Sequence, residues 1–175
     1  VEKGQIQLNT EDIIEQHMLV LMDGMEHAGY EQYEISNFCK PNFESKHNSS
    51  YWKRIPYIGI GPGAHSYNGK DRQYNISNNP LYIKYLNQPL LGNVSTVEHL
   101  SENDTYNEYI LTRLRTKWGI KKEEISVFKS INLAKINQLL DSFCQNGFIV
   151  KELDVYKLTT KGKLLADEIT LQLMV

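Results

Sequence analysis

Tyr57-Ile58-Gly59-Ile60-Gly61-Pro62-Gly63-Ala64 is the stretch on which the fold turns, because it begins apolar and ends in three glycines within five residues. Apolar residues running into glycines are the pattern of a buried strand that ends in a tight, backbone-exposing turn. Upstream, residues 10–28 read as a helix, since Ile14, Met18, Leu21, Met25 and Ala28 recur at spacings of four and three, with Glu11 and Asp12 in the first turn. Gly29 stops that helix. Tyr30–Ile35 then alternates, with Tyr33 and Ile35 opposite Gln32 and Glu34, as a short strand does after a helix. Helix and strand form an αβ unit. Between the two strand-like runs, residues 36–54 lose period and fill with Asn, Ser, Lys, Pro41 and His47, so they are expected to be a long irregular loop, a length more often functional than idle.

Downstream, Asn79-Pro80 reads as an N-cap followed by proline at the first helical position, with a short helix over Leu81–Leu86. Residues 88–96 break both periodicities through Pro89, Gly92, Asn93 and Ser95, which marks a linker. Ser101–Asp104 opens like a capping box, and Tyr106, Ile110 and Leu114 form a helical stripe that ends near Trp118-Gly119. A short helix over Glu123–Phe128 comes next. A further helix follows on Leu133, Ile136, Leu140 and Phe143, closed by Gly147. Phe148–Val150 and Val155–Leu158 pair as a hairpin across Glu152-Leu153-Asp154, and one last helix is expected from about Thr160 to Leu173. Helix, helix, helix, hairpin, helix is the order of a winged-helix module.

Composition bounds what such a chain can do. Its 19 Lys+Arg against 21 Asp+Glu give a net charge of −2, which excludes a polycation. At 175 residues a domain buries roughly 68–70% of the surface its unfolded chain exposes, enough for one sizeable core or two small ones. No apolar run approaches the ~20 residues of a membrane span. Cys39 and Cys144 lie far apart without CxxC spacing, so neither a disulfide framework nor a zinc site is supported, and a reducing, cytoplasmic setting is expected.

Three constellations could carry chemistry. In His47-Asn48-Ser49-Ser50-Tyr51-Trp52 a histidine sits beside an amide and two large aromatics. A neutral imidazole is a good axial ligand for haem iron, and Tyr51 and Trp52 could offer flat apolar faces to a porphyrin. The same residues serve equally as loop anchors beside an ordinary hydrogen-bonding histidine. The turn Gly59–Ser66 could let backbone groups approach a flat ligand such as adenine, or be a tight turn and nothing more. It is neither a Walker motif nor GxGxxG. Tyr33-Glu34-Ile35-Ser36-Asn37 would bring a carboxylate and small polar groups to that same edge if its strand and 57–64 are parallel neighbours. Otherwise it is a solvated strand end. HExxH and GxSxG are absent, so zinc proteolysis and nucleophilic hydrolysis find no support. The helix that would read DNA, 133–146, carries Lys135 as its one cation beside Asp141, so no nucleic-acid partner is expected, and Lys157, Lys161 and Lys163 read as solvated surface.

Residues 1–68, with VEKGQIQL, GYEQYEISNFCKPNFESKHNSSYW and YIGIGPGAHSY, closely resemble the oxygen-independent coproporphyrinogen III oxidase-like radical SAM proteins, in the branch regarded as haem chaperones. NEYILTRLRTKWGI (107–120) and YKLTTKGKLLADEI (156–169) extend the resemblance to nearly the whole chain. It implies an α+β/α/β fold, with residues 1–88 as the last elements of a partial (β/α) radical SAM barrel, a linker at 89–97, and a winged-helix-like domain at 98–175. The HNxxYW motif, here His47–Trp52, marks the chaperone branch, and its histidine is the residue implicated in holding haem. Tyr51 and Trp52 complete the haem loop, and Lys46, Lys53 or Arg54 would meet the propionates. The family's CxxxCxxC loop, which binds a [4Fe-4S] cluster chelated by S-adenosylmethionine, is not in this sequence, so the chain is expected to be a C-terminal portion with no catalytic residue and no cluster ligand of its own. Ser36, Gly61 and Ala64 map onto the family's S-adenosylmethionine wall. The implied role is binding haem and passing it to haemoproteins, membrane-associated ones by the same resemblance. The alternatives are a true coproporphyrinogen oxidase and, from another class, a nucleic-acid or protein-binding module.

Overall fold

The computed structural model describes residues 10–175. The Val1–Leu8 part of the resemblance lies outside them. Helix α1 (Glu11–His27) forms where the apolar spacing places it, and it ends at Gly29, whose φ of +74° favours glycine. The face it buries differs from the expected stripe. Met22 is its buried residue, while Ile14 and Leu21 are about half exposed, because only β1 and α7, defined below, pack against it closely.

Strand β1 (Glu31–Glu34) pairs antiparallel with β2 (Asn37–Cys39), so the supposed loop after residue 35 begins as the return strand of a hairpin. The loop also holds a seven-residue helix, α2 (Lys46–Trp52), started by Ser45, whose Oγ accepts from the Asn48 N–H at 3.2 Å. The opening octapeptide is not a buried strand. Among the described residues its one ladder contact is Tyr57 with Tyr67, and Ile58 and Ile60 stand 86% and 90% exposed, so the parallel pairing with residues 30–35 does not form. A sheet that sequence reasoning missed lies just beyond: β3 (His65–Tyr67), β4 (Asp71–Asn75) and β5 (Ser95–His99), antiparallel in that order. Its strands are short and mostly polar, so they carry no alternation of apolar and polar residues.

Helix α3 (Asn79–Asn87) is capped by Asn78 rather than Asn79, the Asn78 Oδ1 accepting from the Leu81 N–H at 3.0 Å. A 3-10 turn at Pro89–Leu91 follows, and residues 95–97 of the expected linker belong to β5.

The remaining elements are α4 (Glu102–Leu114), β6 (Ile120–Lys121), α5 (Lys122–Ile125), α6 (Leu133–Gln145), β7 (Ile149–Glu152), β8 (Val155–Leu158), α7 (Thr160–Leu164) and α8 (Ala166–Leu173). The single terminal helix expected from the pattern is thus two helices, broken at Leu165, whose N–H turns back to the Gly162 carbonyl. The sheet order is β6-β8-β7, all antiparallel. Tyr106, Ile110, Leu114, Ile120, Leu140 and Leu173 form the fully buried centre, and the Tyr106 hydroxyl donates to the Leu173 carbonyl at 2.9 Å. Burial raises that phenol to about 12, so it stays protonated as a donor. Ile35 joins this core from the other half of the chain. It does so because the end of β1 pairs with the turn after α4: the Ile35 N–H donates to the Arg115 carbonyl at 3.0 Å and the Lys117 N–H to the Tyr33 carbonyl at 3.1 Å.

Candidate functional site

The candidate site centres on α2. A helical spacing of four puts His47 and Tyr51 on one face, and their rings meet edge to face with centroids 5.0 Å apart. That face is open: His47 is exposed, and Tyr51 is 42% exposed. Among the described residues the His47 imidazole makes no hydrogen bond or ion pair, so its nitrogens are available to a ligand. The opposite face of α2 is docked. Asn48 Nδ2 donates to the Tyr33 hydroxyl at 3.1 Å, Ser49 is buried, and the half-buried Trp52 ring lies beneath the Arg115 guanidinium at 6.0 Å. His47 and Tyr51 are therefore presented outward by a helix whose other residues hold it to β1 and to the α4–β6 turn.

The cations expected near a propionate separate into different roles. Lys46 is exposed at the start of α2. The Lys53 ammonium stacks over Trp118 at 4.3 Å. Arg54, with a left-handed φ of 56°, donates to the Thr105 carbonyl at 3.1 Å and to the Tyr67 hydroxyl at 2.7 Å, and it lies 3.5 Å from the Glu108 carboxylate. Arg72, brought in on β4, pairs with Glu108 at 2.6 Å. Between these groups and α2 is a cavity of about 220 Å³ lined by Asn48, Tyr51, Trp52, Tyr57 and Tyr67 together with the two arginines, Glu108 and Thr112. Glu108, Arg72 and Tyr67 escaped sequence reasoning because nothing in the spacing of residues 54, 72 and 108 signals that β4 and α4 bring them together.

Ser36, Gly61 and Ala64 fall in two separate places. Ser36 is exposed in the β1–β2 turn, and its N–H donates to Glu34 at 3.0 Å. Glu34 itself is buried and not a solvated strand end: its carboxylate also accepts from Asn37 Nδ2 at 2.6 Å and faces Arg115 Nε at 3.7 Å. The Gly61 and Ala64 carbonyls are both taken by Asn75, through Nδ2 and N–H respectively, each at 2.9 Å. Gly59 has a local cause, since a Cβ there would lie 2.0 Å from the His65 carbonyl oxygen. At Gly61 the requirement is instead its φ of +103°, and the space beside it is open. With those two carbonyls taken, the turn keeps open surface beside Gly61. A [4Fe-4S] cluster does not fit the residues present. Cys39 is buried and Cys144 half-buried, burial pushes both thiols up, and among the described residues no group of three or more His, Cys, Asp or Glu is placed to hold a metal ion.

The lysines near the β7–β8 hairpin are each engaged: Lys157 with Glu152 at 2.5 Å, Lys161 over the Phe148 ring at 4.3 Å, and Lys163 donating to Gln32 Oε1 at 2.9 Å. Among the described residues no helix is long and apolar enough to cross a membrane.

Comparison with known proteins follows the same lines. No family model matches the chain. Its fold is similar to part of coproporphyrinogen III oxidase (HemN) from Escherichia coli, a radical SAM enzyme, with a TM-score of 0.64 at 15% identity over 90% of this chain and 40% of that one. This mixed α and β fold defines the class. In sequence, the chain is 32% identical over 170 residues to "Heme chaperone HemW" of Bacillus subtilis, covering 97% of this chain and 45% of that protein. It is 29% identical over 175 residues to the protein of the same name from Mycobacterium tuberculosis strain H37Rv, covering 99% and 43%, and 35% identical over 122 residues to that of Lactococcus lactis, covering 70% and 31%. The chain thus spans less than half the length of the curated relatives it matches. Over nearly its whole length the chain is thus similar in sequence to part of the HemW haem chaperones.

Proposed function

We propose that this chain supplies the haem-holding part of a haem chaperone, taking haem as cargo on the outward face of α2 and releasing it to a recipient haemoprotein. The observation that carries this reading is the His47–Tyr51 pair: an exposed imidazole with both nitrogens free among the described residues, beside a ring held at 5.0 Å. An imidazole nitrogen would ligate the iron, and Tyr51 would give the macrocycle an edge or face to lie against. Trp52, half-buried under Arg115, would seat the helix rather than touch the cargo broadly. The printed name of the relatives, a heme chaperone, supports the same assignment. A membrane-associated recipient has only the family resemblance behind it, and a cytoplasmic setting rests on the cysteine usage.

The finer fold reading goes with this. The order α4-β6-α5-α6-β7-β8 with sheet order β6-β8-β7 supports a winged-helix-like domain over about 98–175, and the preceding αβ unit supports terminal elements of a partial barrel. Core residues come almost wholly from 106–173, which favours that division, while β5 extends the first unit past the start of the proposed 89–97 linker. S-adenosylmethionine and a [4Fe-4S] cluster would belong to the longer proteins of the family. Ser36, Gly61 and Ala64 are proposed as part of the S-adenosylmethionine wall, with Gly61 the open point of approach.

The test is His47→Ala in the purified protein, read by titration of the haem Soret band. Affinity is expected to fall at least tenfold, with loss of the imidazole-ligated spectrum. Unchanged affinity and coordination would remove the ligand assignment. The fold shared with HemN supports a second reading, oxidative decarboxylation. Anaerobic conversion of coproporphyrinogen III to protoporphyrinogen IX by the full-length, cluster-bearing protein would favour that reading over haem delivery.

A further inference from the structure

Behind Tyr51 and Trp52, the cavity of about 220 Å³ has features the haem ligand alone does not use. Among the described residues Trp52 Nε1 and Arg54 Nε are buried N–H groups without a hydrogen-bond partner, and both residues line this cavity. Buried donors are satisfied in the great majority of cases, and these two belong to residues that line the same hollow. The charge has the matching sign. Two guanidiniums, Arg54 and Arg72, face a single carboxylate, Glu108, which both of them share at 3.5 and 2.6 Å. An added carboxylate would bring the cluster to balance. The remaining walls are aromatic, from Tyr51, Trp52, Tyr57 and Tyr67, and the ring contacts continue outward from Tyr57 to Tyr51 at 4.8 Å and from Tyr51 to His47 at 5.0 Å. Tyr51 and Arg72, 42% and 45% exposed, are its solvent-facing walls, and Tyr51 is the one whose ring meets His47. The volume lies below the ~300–1,000 Å³ of pockets that enclose a whole drug-sized ligand. It suits one acidic arm of a larger molecule that lies outside.

We propose that this cavity is a carboxylate-binding subsite that receives a propionate arm of the porphyrin, with Trp52 Nε1 and Arg54 Nε as donors and Arg72 as the second cation. This rests on the haem reading above and adds to it the feature by which the chain tells an acidic porphyrin from a neutral one. Charge-assisted hydrogen bonds from a guanidinium and an indole to one carboxylate are among the stronger polar contacts, so their loss is measurable.

The experiment compares haem with haem dimethyl ester, whose arms are uncharged, by Soret titration of the purified protein. Wild type is expected to bind the diester at least tenfold more weakly than haem. Trp52→Phe, which removes only the indole N–H, and Arg72→Met, at a half-exposed strand position, should each weaken haem several-fold while leaving the diester unmoved. Metal-free protoporphyrin IX, followed by fluorescence, separates this subsite from the iron ligand. Its preference over its own diester should persist in His47→Ala. Equal affinity for acid and ester in wild type and both variants would mean a cavity holding water only, and would overturn the subsite even if His47→Ala abolishes the haem spectrum. Persistence of the acid preference when His47→Ala leaves haem binding untouched would instead keep the subsite and overturn the ligand assignment.

Discussion

Gly59 and Gly24 respond oppositely to the same added methyl. At Gly59 a Cβ would sit 2.0 Å from the His65 carbonyl oxygen, a backbone atom that cannot turn aside, so Gly59→Ala is expected to cost about 1–3 kcal/mol. That corresponds to a fall of several degrees in Tm, at ~2–4 °C per kcal/mol for this size. At Gly24, within α1, nothing among the described residues lies within 4 Å of the added Cβ, and Gly24→Ala should raise Tm through a gain of about 0.4–1 kcal/mol. Thermal denaturation of both variants checks the pair, and a fall at Gly24 or no change at Gly59 would contradict this account. Three glycines in the octapeptide were legible as a turn. That Gly59 is there for its own neighbour, and not for a ligand, was not, because the approach of residue 65 is a tertiary fact. His47 and Tyr51 share a face by helical spacing, yet their residues first read as loop.

Helix α4 shows an element whose start is written in its first residues. Ser101 Oγ accepts from the Asp104 N–H at 3.1 Å and the Asp104 carboxylate accepts from the Ser101 N–H at 2.9 Å, a reciprocal capping box. Ser101→Ala should cost about 1 kcal/mol, within a range of ~0.5–2, and a urea melt with unchanged slope and a lower midpoint is the expected result. Elements of this kind were readable, since cap and apolar stripe agree over several turns. Helix α2 was not, because its seven residues carry no full apolar period. It is held by the Ser45 cap and by what Asn48, Ser49 and Trp52 touch. The β3-β4-β5 sheet was missed for the matching reason: strands of three to five residues with polar side chains leave no period-two signal.

Across the whole molecule, the two halves are joined where β1 meets the α4–β6 turn. Besides the backbone bonds of Ile35 and Lys117, charges converge there: Lys117 pairs with Glu31 at 2.9 Å and with Glu44, and Arg115 with Asp167 and the buried Glu34. The hydrogen bond from Lys117 holds the Glu44 carboxyl below the usual carboxylate range, and desolvation opposes it only in part. Desolvation lowers the Lys117 pKa, but Glu44 and Glu31 together raise it above the ordinary value. A depressed acid stabilises fully above its unfolded pKa of ~4.3, and a raised base stabilises fully below its own of ~10.4. The joint should therefore be intact between those limits and weaken as pH falls through the depressed Glu44 pKa. Urea-derived stability measured from neutral to acid pH should show this loss in the wild type. Lys117→Met should lower the neutral value and flatten the acid limb. A variant that keeps the full acid dependence would show that other carboxylates set it.

Local chemistry by itself determined the helices with full apolar periods, the glycine stops, the α4 cap and the terminal hairpin. Those features depend on residues within a few positions of each other, where side-chain spacing and backbone preference suffice. Tertiary structure decided the rest: that 57–64 is an exposed loop stapled to Asn75, that Glu34 turns inward to Arg115, and that Arg54, Arg72 and Glu108 close around a hollow behind Trp52. These groups lie more than ten residues apart in the chain, and only tertiary packing sets which of them meet, so their pairing has no local signature to read.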